Sequence, residues 1–228
     1  MDLHRKSWNQ AQQVLRSALE GTGDHQHALE LFLSQHAALY ARALTQPGVF
    51  SFDDELWQGL PDEAARLIPL KGEHSIAWMI WHAARCEDIT MNLLVAEAPQ
   101  VLLRENWLER MKITSRDTGN AMDQAEIAGL SASIDIGALR DYRSAVGQRT
   151  RQIVSQLGPG DLKRKVPGSR FQHVWDEGAV LEGAAWLVRY WSSLTVAGLL
   201  LMPPTRHNFV HLNEAMGIKP KALKRLAA

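Results

Sequence analysis

Apolar residues in this chain recur at intervals of three and four, and stretches that alternate apolar and polar with β-branched residues are almost absent. That spacing predicts an all-α fold. The expected helices cover about residues 5–20, 25–45, 73–97, 137–157, 178–201 and 204–216. Their stops fall at "EGTG" (20–23), "TQPG" (45–48), "LGPGD" (157–161) and Gly217. Roughly 40 residues separate the 73–97 and 137–157 helices, far more than an antiparallel helical hairpin needs. A four-helix bundle with one long crossover between helices two and three, which then run roughly parallel, accounts for that length. The N-terminal helix and the last short one are additions to it. No internal repeat or low-complexity segment interrupts the pattern, so one domain is expected over residues 1–228, with the bundle core at about 25–217.

Charge and composition exclude several function classes. Lys+Arg 25 against Asp+Glu 25 leaves no net field to attract nucleic acid or an anionic membrane. The most apolar run, "LTVAGLLLMPP" at 194–204, is about half the length a bilayer requires, so it belongs in a core. The start "MDLHRKSWNQ" lacks the apolar stretch of a signal peptide, and Cys86, with no second cysteine, excludes an internal disulfide. With 46% hydrophobic and 22% charged residues, these features suit a soluble, cytoplasmic globular protein.

Three histidines carry the chemistry. In "TRHNFVHLNEA", His207 and His211 stand four apart, the spacing at which two imidazoles on one helix face grip one cation. A tightly held ion needs a third protein ligand. His82, in "HSIAWMIWHAARCEDITMNLLV", shares its stripe with Ser75, Trp78, Cys86, Ile89 and Leu93, whereas Arg85, Glu87, Asp88 and Asn92 fall to the side, so His82 looks into the bundle. Core hydrogen bonding and metal ligation both suit it. On the last helix Glu214 joins the histidines on one stripe, which on the wheel alone faces water, and Phe209, Leu212 and Met216 form the opposite one. Pro203 and Pro204 suit a helix start there.

Other candidates are weaker. Asn208 stands where a metalloprotease HExxH motif has its glutamate, which rejects that class. Cys86, four residues after His82, reads as a small core residue before it reads as a ligand. His25 and His27 diverge on a helix and read as surface; His74 reads as a helix-start residue and His173 as part of a loop. The basic stretches at 161–170 and 219–225 read as solvated, and Trp78, Trp81, Trp186 and Trp191 as core.

The motifs "WMIWHAARCEDIT" and "TRHNFVHLNEA", with the order of the helices around them, resemble the DinB/YfiT-like family of four-helix-bundle metalloenzymes over about residues 25–217. The resemblance implies a divalent metal, zinc or nickel first, held by His82, His207 and His211. It also implies a metal-dependent transferase or hydrolase, first of all a thiol-dependent transferase acting on a small electrophile with a low-molecular-weight thiol as the small-molecule partner. Glu214 is then a candidate to orient a ligand ring or take a proton. Nucleic-acid and membrane partners are not expected, and a homodimer is left open. The chain departs from the family at Asn213 and Glu214, where Gly-Gln is common, and in its N-terminal helix and longer crossover. The competing reading is a non-catalytic bundle, a binding or stress-response module with a degenerate site.

Overall fold

The computed structural model describes residues 3–42 and 50–227; 72% of it is helical, and these residues include one isolated bridge, Lys165 to Thr195, and no strand. The helices in chain order are α1 (Leu3–Glu20), α2 (His25–Ala37), α3 (Phe52–Trp57), α4 (Asp62–Arg66), α5 (Ile76–Ile89), α6 (Trp107–Met111), α7 (Gln124–Ser133), α8 (Ile136–Ser155), α9 (Gly168–Asp176), α10 (Ala185–Ser193), α11 (Val196–Leu201) and α12 (Asn208–Leu226). Wide π turns extend α5 through Thr90–Ala96 and join α11 to α12 through Met202–His207. The starts follow side-chain caps. Asp24 accepts from the Gln26 and His27 amides, Ser75 from the Trp78 amide, and Asp123 forms a reciprocal capping box with Glu126.

Every residue of α5 is buried. Its polar side therefore meets protein instead of water, and each polar group on it requires a partner. Arg85 donates to Asp88 and to the Tyr142 hydroxyl, and Asp88 accepts from the Val101 and Leu102 amides at the start of the crossover. Glu87 accepts from His36 and Tyr40 on the α2 side and from Asn208 on α12. Burial acts to raise the Glu87 carboxyl, but facing His36 and the bonds from His36 and Tyr40 hold it below the usual carboxylate range.

These contacts fix direction. Asp88 meets Tyr142 and Asn92 meets Arg149, so α5 and α8 run the same way, as the long crossover requires. Against α12 the order reverses: Glu73 meets Lys221 and Glu87 meets Asn208. Helix α2 runs against α8, with Leu33 paired to Arg151 and Leu39 to Arg143. The α11–α12 column closes the bundle, and α1 packs along it through Gln12 to Leu201 and Asn9 to Arg206. The apolar core forms two clusters along α5, one including Trp78, Trp81, Phe209 and Leu212, the other Cys86, Ile89, Leu199 and Trp191.

Several boundaries differ from the sequence pattern. Helix α2 stops at Ala37 because the Ala38 and Tyr40 carbonyls are taken by the Phe52 amide and the Ser51 hydroxyl. The "TQPG" stop lies outside the described residues. The 178–201 helix is broken at Leu194–Thr195, where Thr195 caps a new helix and the Val196 amide bonds the Arg164 carbonyl. The last helix is long, not short: it runs through Gly217 and Pro220 to Leu226. Ile218 and Ala222 are buried along it, Lys219 bonds the Glu55 and Gln58 carbonyls, and Arg225 those of Ile68 and Pro69. The basic tail is thus docked. His173 lies in α9 and Trp186 is half exposed on α10.

Gly147 marks the closest approach of α8 to the α2 side. A Cβ there would lie 2.4 Å from the Tyr40 ring, which its bond to Glu87 pins. Gly147→Ala should lower the urea midpoint, a net loss of about 1–2 kcal/mol despite the better helix propensity of alanine. A midpoint at or above wild type would show that Tyr40 has room to yield.

Candidate metal centre

His82 sits in mid-α5 with 3% of its surface exposed. Its Nδ1 lies 2.5 Å from the carbonyl of Thr118, which only accepts, so Nδ1 carries the proton and Nε2 is left bare. The crossover is brought this close by Gly119. Its φ of 80° is in the left-handed region, and an added Cβ would lie 2.6 Å from the Trp81 ring. Trp78 stacks on the imidazole, with ring centroids 4.8 Å apart and planes nearly parallel.

The late pair reaches His82 from the antiparallel α12 column. His207 Nε2 lies 3.2 Å from His82 Nε2 and 3.1 Å from His211 Nε2. With metal–nitrogen bonds of about 2.1 Å, those separations correspond to angles of roughly 95–100° at one ion, inside the range of tetrahedral to octahedral sites. His211 Nδ1 lies 2.8 Å from Glu214 Oε2, off the ring's N–H direction, so it is a close polar contact and not a well-formed hydrogen bond. The carboxylate nevertheless favours the proton on Nδ1 and leaves His211 Nε2 bare. A proton on His207 could serve only one of its two bare neighbours; a cation serves all three. The donor set therefore fits a divalent ion.

Among the described residues the group whose ligand atoms all lie within 4.8 Å of one another is His82, Cys86 and His207, and His211 adjoins it through His207. The Cys86 sulfur is 3.9 Å from both His82 nitrogens, so it lies beside the ring and not beyond Nε2. Burial pushes the thiol pKa up to about 12, which keeps it protonated and weakens it as a ligand. Burial also drives His82 down to about 3, and His207 well below its ordinary value, helped by the facing histidines. Both are held in the neutral form that ligation requires. The contact with His211 holds the Glu214 carboxyl low.

The sequence model of the DinB superfamily matches residues 54–200. The chain belongs to the DinB superfamily. The matched segment contains α5 with His82 and the whole crossover; His207 and His211 lie beyond it. No curated protein matches the chain significantly.

In this DinB chain the histidines open onto a cavity of about 740 Å³, walled by Trp78, Met79, Met122, Ile127 and Ile218, with the Glu73–Lys221 ion pair at its lining. His74 belongs to it: its ring stacks on Trp78 at 4.1 Å, a role its position near a helix start did not reveal. Sequence reasoning also missed Thr118, whose contribution is a main-chain carbonyl and leaves no side-chain signature. Asn208, read only as a missing catalytic glutamate, is fully buried and bonded to Glu87 and Arg143. His27 is exposed, as expected, while His25 bonds the Leu157 carbonyl.

A neutral buried histidine ties stability to pH. In chelator-treated protein the His82 contribution is complete above its unfolded pKa, about 6.5, and falls as pH drops towards the folded value, by about 1.4 kcal/mol per pH unit. Urea midpoints should decline between about pH 6.5 and 5, above the range where most carboxylates titrate, and the decline should be shallower in His82→Gln. A wild-type curve flat across that window would contradict the buried, neutral His82.

Proposed function

We propose that this DinB chain is a divalent-metal-dependent enzyme that transfers a low-molecular-weight thiol to a small electrophile, with His82, His207 and His211 as its metal ligands. The convergence of three imidazole nitrogens at the mouth of an open, largely apolar cavity carries this reading. Zinc and nickel suit an all-imidazole donor set. When bound, the ion supplies Lewis acidity that lowers the pKa of a thiol or water brought to it.

The chain's own groups supply the rest. Glu214, half exposed at the cavity and ionised, takes the thiol proton and holds the His211 ring in its ligating orientation. Thr118 does the same for His82. Trp78, Met79, Met122 and Ile127 present an apolar wall that excludes water from the electrophile, which favours sulfur attack over hydrolysis. The new carbon–sulfur bond forms as the leaving group departs, or as a strained ring opens, with the proton returned from Glu214. Such chemistry suits a reducing compartment, which supports a cytoplasmic setting.

Elemental analysis should find about one zinc or nickel per chain. His207→Ala and His211→Ala should lose the metal and any metal-dependent thiol transfer, with unchanged helix content and a cost of about 1 kcal/mol to the metal-free fold. His82→Ala should be clearly more destabilising, by about 2 kcal/mol or more, because it leaves a hole in a packed face. Full metal retention in either late-histidine variant would sink the proposal.

A further inference from the structure

The wide turn Met202–His207 sets where His207 points, and its main chain is held by side chains. In an unbroken α-helix the Leu200 carbonyl would accept from residue 204, which is Pro204 and has no N–H. The Thr205 hydroxyl takes that place, donating to Leu200 O at 3.0 Å. Gln12, arriving from α1, donates to Thr205 Oγ1 at 3.0 Å and to the Leu201 carbonyl at 3.3 Å. Asn208 closes the other end, donating to the Pro203 carbonyl at 3.0 Å and to Glu87 at 2.6 Å. Thr205 and Asn208 are fully buried and Gln12 nearly so. Without these donors the turn would carry unsatisfied carbonyls, and Pro203 and Pro204 bar a regular α-helix in its place, so the segment would shift. A shift there moves His207, the last residue of the turn, relative to His82.

We infer that Gln12 and Thr205 are positioning residues for the metal centre: they hold the wide turn, and the turn aims His207 Nε2 at His82. The inference rests on the metal-binding reading proposed above. It gives α1, which lies outside the part matched to the superfamily, a role in a site it does not touch.

The test is cobalt(II) titration of the purified, metal-stripped full chain, followed by visible ligand-field absorption, with thermal melting of the metal-free proteins alongside. Thr205→Val keeps the shape and removes the hydroxyl; Thr205→Ser restores it. The valine variant should bind cobalt about tenfold or more weakly, with altered ligand-field bands, and the serine variant should recover both. Gln12→Leu, on a different helix, should weaken cobalt binding in the same direction and decides the matter if the valine variant does not fold. A purely structural role would lower melting temperatures yet leave cobalt affinity and spectrum at wild-type values, and that result overturns the inference while sparing the metal site. A wild-type protein that takes up no cobalt overturns both.

Discussion

A helix enclosed on every side cannot leave a charge unpaired, and α5 carries Arg85, Glu87 and Asp88 within four consecutive positions. Each is matched inside the bundle: Arg85 and Asp88 with Tyr142 of α8, Glu87 with His36, Tyr40 and Asn208. Leaving any one of them unpartnered would cost several kcal/mol, so the neighbours have little freedom in how they dock. Arg143 extends the constraint by bonding Asp53, the Leu39 carbonyl and Asn208 at once.

The candidate metal centre inherits its geometry from that requirement. Glu87 fixes Asn208, Asn208 is the residue after His207, and the antiparallel course of α12 then brings His211 to the same stretch of α5 as His82. The desolvation that makes α5 demanding also keeps its histidine neutral. An imidazole in water would hold a proton at mildly acidic pH; one with 3% of its surface exposed gives its lone pair to whatever cation reaches it. Fold and ligand chemistry thus share one cause.

The apolar periodicity, the long crossover and the HxxxH spacing are local properties, and each survived into the structure. So did the stripe that turned His82 inward, because a wheel reports correctly which residues share a face. It does not report what that face meets. On α12 the wheel set the histidines towards water, yet they line a cavity, because α5 and the crossover pass over them. The helix end at Gly217 failed for the same kind of reason: Ile218 and Ala222 gain burial, and Lys219 and Arg225 gain carbonyl partners by continuing. Those gains outweigh the roughly 1 kcal/mol that glycine costs within a helix and the roughly 3 kcal/mol that a proline such as Pro220 costs.

By itself the sequence determined the all-α class, the three histidines and their order along the chain, since periodicity and spacing are written residue by residue. Tertiary structure alone decided that Thr118 would orient His82, that His74 would line the cavity, and that the Pro203–Pro204 segment would form a wide turn inside a continuous column instead of starting a new helix. The first and the last depend on a main-chain carbonyl finding a donor from far along the chain, and the second on distant elements walling a cavity beside His74. A carbonyl is common to every residue, so nothing in the order of side chains marks which one will be used.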